Sequence, residues 1–120
     1  MAKFLIVDDS KLARTILHNI LVEAGHEIVA EAENGLEGEE MYSQHKPDVV
    51  ILDNVMPVEG GKTCLKNLLA KDPEAKIIIV SSVGKENLIE EELKIGAKAY
   101  VSKPIEKEAL LATVASVLEI

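Results

Sequence analysis

Three stretches of this chain, Phe4–Val7 (FLIV), Val49–Leu52 (VVIL) and Ile77–Val80 (IIIV), are apolar at every position. A strand with one wet face alternates apolar and polar residues. A strand with no polar position has to be covered on both faces, the situation of a parallel sheet. Parallel strands need crossovers of a dozen residues or so, usually helical, and the intervals supply them. Leu12, Ile16, Leu17, Ile20, Leu21 and Ala24 recur at helical spacing ahead of Gly25, and Cys64, Leu65, Leu68 and Leu69 form a second stripe. Leu88, Ile89, Leu93 and Ile95 precede Gly96, and Leu110, Leu111, Val114, Val117 and Leu118 close the chain. Two further strands, Ile28–Ala32 and Ala99–Val101, complete a βαβαβαβαβα order. Ser10 and Asn34 are predicted N-caps, and Gly25 and Gly96 are placed where a helix C-terminus wants a positive φ. The segment after Asn34 makes the poorest helix. Glu39 and Glu40 interrupt its apolar face, and Gly38 costs ~1 kcal/mol against alanine. The alternation predicts an open parallel sheet with helices on both faces and right-handed crossovers.

With 120 residues, 48% of them hydrophobic, the chain can bury one substantial core and reads as one domain over residues 1–120. Two Tyr, one Phe and no Trp leave that core aliphatic. A net charge of −8 argues against a nucleic-acid-binding surface, which would show clustered Lys and Arg. The single cysteine, Cys64, excludes an internal disulfide framework and is expected to be packing on its helical stripe. The N-terminus has no signal-peptide core, and no apolar run approaches the ~18 residues of a membrane span. A cytoplasmic domain is expected.

In a doubly wound sheet, ligands bind outside the carboxyl ends of the strands. Those ends carry Asp8 and Asp9 after the first strand and Asp53 after the third. Ser81 and Ser82 follow the fourth, and Lys103-Pro104 follows the fifth. Each has a plain alternative reading as a helix cap or turn residue; gathered at one edge they are harder to explain that way. Carboxylates within reach of one another raise each other's pKa. A hard cation such as Mg²⁺, with oxygen ligands, relieves that repulsion. With Lys103 adding a positive charge, the site suits a phosphoryl group, and Asp53 is placed to be its nucleophilic acceptor.

These residues resemble the receiver domain of two-component response regulators, the CheY-like family, over essentially the whole chain. The signposts are LIVDD at Leu5–Asp9, NG at Asn34-Gly35 and KPDVVILD at Lys46–Asp53. They continue with Met56-Pro57, Gly61, Ser81 and GAKAYVSKP at Gly96–Pro104. The resemblance implies a flavodoxin-like α/β fold, five parallel strands in the order 2-1-3-4-5 with five helices. It implies that Asp53 is the phospho-acceptor, with Lys103 pairing with phosphoryl oxygens. Asp9 and Asp53 would ligate Mg²⁺ with Asp8 assisting, and the backbone carbonyl of Val55 would complete the protein ligands. Ser81 would move to hydrogen-bond the phosphoryl group, Tyr100 would report activation by its rotamer, and the Lys103–Pro104 bond would be cis. The implied partners are a histidine kinase as phosphodonor and a downstream protein at the face of the fourth helix, fifth strand and fifth helix. Neither nucleic acid nor membrane is expected as a direct partner, and a monomer is expected.

Three departures bear on these roles. Ser82 is larger than the residue the family usually carries there and could narrow access to the phosphoryl site. Val55 offers no polar side chain to position an attacking water, which fits a longer-lived phosphoryl group. Glu86, Glu90, Glu91 and Glu92 give the fourth helix an acidic face suited to a basic partner. A phosphohydrolase of the haloacid-dehalogenase type would want a second Asp where Val55 stands, and GGKT at Gly60–Thr63 lacks the first glycine of a P-loop. The expected function is therefore a signalling switch and not an enzyme, plausibly in chemotaxis. A receiver excised from a larger, for example transcriptional, regulator and a phosphorelay shuttle are the alternatives.

Overall fold

The computed structural model describes residues 1–82 and 84–120. Its elements alternate along the chain: β1 (Lys3–Val7), α1 (Lys11–Glu23), β2 (Glu27–Ala32), α2 (Gly35–His45) and β3 (Val49–Asp53) come first. They are followed by α3 (Gly61–Lys71), β4 (Ile77–Ser81), α4 (Glu86–Ile95), β5 (Ala99–Ser102) and α5 (Lys107–Leu118). The strands form one sheet in the order β2-β1-β3-β4-β5, and every neighbouring pair is parallel. The expected topology is present. Asp53 and Ser81 are the last residues of β3 and β4 and not the first residues beyond them.

Period-2 side-chain alternation sorts the apolar strands onto two cores. Phe4, Ile6, Ile51, Ile78 and Val80 face Leu17 and Leu21 of α1 and Leu110, Val114 and Val117 of α5. Leu5, Val7, Leu52, Ile77 and Ile79 face the other side, against Cys64, Leu65 and Leu68 of α3. Phe4–Val7, Val49–Leu52 and Ile77–Val80 are sealed between the two layers, which is why these stretches of β1, β3 and β4 have no polar position. Each fully buried aliphatic side chain contributes about 1.5–3 kcal/mol.

The caps fall where expected. Ser10 Oγ accepts from Ala13 N at 3.2 Å and Asn34 Oδ1 from Glu37 N at 2.9 Å. Gly25 and Gly96 take φ of 93° and 140°. Two helices differ from their apolar patterns. In α1 the buried line runs Arg14, Leu17, Leu21, so Leu12 and Ile16, read as part of the same stripe, are exposed. In α2, Gly38 and Glu39 are buried. A Cβ at Gly38 would stand 3.0 Å from a Val7 methyl, so the glycine lets the helix lie close on β1. Among the described residues no helix is long and apolar enough to cross a membrane.

Candidate functional site

The carboxyl ends of β1, β3, β4 and β5 bring Asp8, Asp9, Asp53, Ser81 and Lys103 to one edge of the sheet. One carboxylate oxygen from each of Asp8, Asp9 and Asp53 lies within 4.8 Å of the others. Asp8 and Asp53 are buried and Asp9 is exposed, so the cluster opens to solvent on one side.

Each carboxylate is oriented by local structure. Asp8 N donates to Ala32 O at 3.0 Å, which extends the β1–β2 pairing by one residue. Its Oδ1 accepts from Ser10 N at 2.9 Å, so the cap of α1 and the acid share one turn. Its carbonyl accepts from Arg14 Nη1 at 2.7 Å, a contact that accounts for the arginine on the buried line of α1. Asp53 Oδ1 lies 3.5 Å from Val55 N. Gly61, at the start of α3, closes against this turn. A Cβ there would meet Asn54 Cα at 2.5 Å and stand closer still to the Asp53 carbonyl oxygen, so only glycine fits.

Lys103 Nζ reaches Asp8 Oδ2 at 3.2 Å and Asp53 Oδ2 at 3.6 Å. Its backbone N donates to Ser81 O at 2.7 Å, and the peptide bond to Pro104 is cis, as the resemblance implied. One lysine does not neutralise the cluster. Burial, with Asp8 and Asp9 adding repulsion and Lys103 pulling the other way, raises Asp53 to about 6. Asp8 Oδ2 is buried and receives no well-directed hydrogen bond among the described residues, despite the nearby ammonium. An electron-rich, under-partnered set of carboxylate oxygens at a partly open edge fits a hard divalent cation with oxygen ligands.

Ser81 is fully buried and fully engaged. Its hydroxyl accepts from Asn54 Nδ2 at 2.9 Å and donates to the carbonyl of Ser82, which is itself exposed, at 3.2 Å. Tyr100 is 47% exposed on β5. It borders a groove of about 400 Å³ shared with Glu86, Ile89 and Glu90 of α4, so its ring is not core filling. Val55 is 53% exposed beside the acids.

Three residues of this neighbourhood escaped the sequence reading. Asn54 links the acceptor strand to Ser81, Arg14 holds the Asp8 carbonyl, and Glu92, expected on the acidic outer face of α4, is wholly buried. The available signal was a charge falling at a core position of a helix, in phase with Leu17 and Leu21 for Arg14 and with Leu88 and Ile95 for Glu92.

A sheet in this order with three acids and a lysine at its carboxyl edge defines the receiver class of signalling domains. A family model described as the response regulator receiver domain matches residues 4–115, and the chain belongs to that family. Within it, the chain is similar to CheY proteins. It is 43% identical over 111 residues to the chemotaxis protein CheY of Listeria monocytogenes, covering 92% of this chain and 93% of that one. It is 39% identical to the Bacillus subtilis chemotaxis protein CheY over 109 residues, 91% of each chain. Among solved structures it superposes with a TM-score of 0.93 on a chain of the CheX-CheY-BeF3-Mg complex from Borrelia burgdorferi. The two are 37% identical, covering 97% of this chain and 88% of that chain. Domains of this family are two-component signalling proteins that generally bind Mg²⁺ at an acidic pocket.

Proposed function

We propose that residues 1–120 form one receiver domain that takes a phosphoryl group from the phosphohistidine of a histidine kinase onto Asp53. The observation that carries this reading is the placement of Asp53, buried at the end of β3 with Asp8, Asp9 and Lys103 around its carboxylate. An Asp53 oxygen attacks phosphorus, the bond from phosphorus to the donor imidazole nitrogen breaks, and the released imidazole takes a proton from water. With its pKa raised to about 6, Asp53 is still mostly ionised at neutral pH and able to attack. Asp9, Asp53 and the Val55 carbonyl, with Asp8 assisting, would hold Mg²⁺, which supplies charge neutralisation for the clustered carboxylates and the incoming phosphoryl oxygens. Lys103, whose ammonium lies 3.6 Å from Asp53 Oδ2, would pair with the phosphoryl oxygens.

Ser81 then leaves Asn54 and the Ser82 carbonyl to hydrogen-bond the phosphoryl group, and Tyr100 changes its packing beside it. A group carrying about −1.5 to −2 charge is enough to bias such a two-state element. The readout is affinity for a downstream protein at the α4–β5–α5 face. There Glu86, Glu90 and Glu91 are exposed, so a basic docking surface on the partner is favoured. Similarity to CheY proteins supports chemotaxis as the pathway. The domain modifies itself and turns over no external product, so it acts as a switch and not an enzyme.

Intact mass after incubation with acetyl phosphate, with and without Mg²⁺, tests this. One Mg²⁺-dependent phosphoryl adduct is expected, absent in Asp53→Asn. An adduct of parental yield in that variant would refute the assignment.

A further inference from the structure

Arg14 occupies a core position of α1, in phase with Leu17 and Leu21, and is 8% exposed. An apolar side chain there would pack without the cost of burying a charge, so the guanidinium answers some other need. Its partners show which. Nη1 donates to the Asp8 carbonyl at 2.7 Å, Nε donates to Glu31 Oε1 at 3.2 Å, and Nη2 lies 3.7 Å from Glu33 Oε1. Glu31 is steadied in turn, because its other oxygen lies 3.2 Å from His18 Nδ1. A planar fork braced against the edge strand β2 thus holds one backbone oxygen of the acid cluster. That oxygen belongs to the peptide joining Asp8 to Asp9. A peptide unit is planar, so fixing its oxygen also fixes the Asp9 nitrogen and Cα. Asp8 has further anchors, at its backbone nitrogen and at Oδ1. Asp9 is exposed, and this peptide is the handle by which its carboxylate is aimed.

We propose that Arg14, braced by Glu31, is a positioning residue of the cation site: it locks the Asp8–Asp9 peptide so that both carboxylates are set for Mg²⁺ before the ion arrives. Groups one step behind metal ligands typically govern about 10–100-fold of metal affinity. The inference rests on the function proposed above, because it takes Mg²⁺ as the ion the acids hold. The sign of the effect separates positioning from charge. A cation beside a cation site opposes Mg²⁺ by Coulomb's law, so removing Arg14 would tighten binding if its charge were all that mattered. Positioning demands the reverse.

The test titrates Mg²⁺ into the full chain, followed by calorimetry and by NMR of the Asp9 backbone amide. Arg14→Met keeps an apolar stem and removes the fork, and should weaken Mg²⁺ binding roughly tenfold. The Asp9 amide signal should already be displaced in that variant without metal. Glu31→Gln alters a half-exposed side chain of the edge strand and leaves the folded core untouched. It should weaken Mg²⁺ roughly fivefold, less than Arg14→Met because the Asp8 contact remains. In the Arg14→Met background it should add less than about 1.5-fold, since Glu31 acts through Arg14. Val117→Ala, which opens a cavity near the C-terminal end of α5, is the control: it should lower the urea midpoint and keep parental Mg²⁺ affinity. Parental or tighter binding in Arg14→Met would overturn the proposal. So would equal effects of Glu31→Gln in both backgrounds, or a matching loss in Val117→Ala, which would make the weakening a matter of stability alone. If Arg14→Met does not fold, parental Mg²⁺ affinity in Glu31→Gln overturns it. A parent that binds no Mg²⁺ in the same titration would instead bring down the function on which the inference rests.

Discussion

Replacing Asp53 with asparagine should stabilise the metal-free protein, and only above about pH 4. Asp53 is 5% exposed, and burial first, then repulsion from Asp8, lifts it from an ordinary 3.8 to about 6. The folded state therefore holds the Asp53 proton more tightly than the unfolded chain does. Between those two values the unfolded state binds fewer protons, so stability falls as pH rises, and the loss is complete above about pH 6 to 7. At 1.36 kcal/mol per pH unit the gap amounts to about 3 kcal/mol. An asparagine at this position would carry no charge to bury, so the variant should gain about 2–3 kcal/mol over the parent at pH 7.5 and almost nothing at pH 4. Glu59 and Glu92 are also raised, each to about 7, and change the parental profile, but Glu59 cancels in the difference between the two proteins. Urea titrations across that pH range in EDTA give the difference directly. Saturating Mg²⁺ should then stabilise the parent by about 2.7 kcal/mol at 100 times its dissociation constant, and the variant far less. Parallel pH profiles for parent and variant, or a variant less stable at pH 7.5, would show that Asp53 is not a strained buried charge.

Gly61→Ala forces a Cβ into the backbone of Asp53 and Asn54, where no flexible side chain can yield. A loss of about 2–3 kcal/mol in urea is expected, together with weaker Mg²⁺ binding because the Val55 turn is displaced. Lys103→Met leaves Asp8 and Asp53 facing each other without their cation. The metal-free variant should lose about 1–2 kcal/mol at pH 7.5, and adduct formation from acetyl phosphate should fall at least roughly tenfold. A parental rate would remove Lys103 from the site. Glu59→Gln tests the carboxyl pair between the β3–α3 loop and α2. Contact with Glu39, then burial, raises Glu59 to about 7, so the folded state favours its protonated form. The variant should have a higher urea midpoint than the parent near pH 8 and the same midpoint near pH 4.

The residues legible in the sequence share one property: they end an apolar run. Asp8, Asp53 and Ser81 are legible because a strand sealed on both faces admits polarity only at its tip, and a parallel sheet puts all such tips on one edge. Residues the pattern misread are charges at core positions of helices. Periodicity counts a charge as solvent-facing, so Glu39 weakened the case for α2, Glu92 joined an outer acidic face, and Arg14 yielded its place to Leu12 and Ile16. All three are buried. All three also touch the loops of the same edge. Arg14 holds the Asp8 carbonyl, Glu39 pairs with Glu59 beside the β3–α3 loop, and Glu92 packs by Asn54. A helix gains nothing for its own stability by turning a charge inward. When every such violation in a small domain converges on one end of the sheet, that end carries a demand other than stability. The breaks in the hydrophobic pattern therefore mark the switch region as clearly as the acids at the strand tips do.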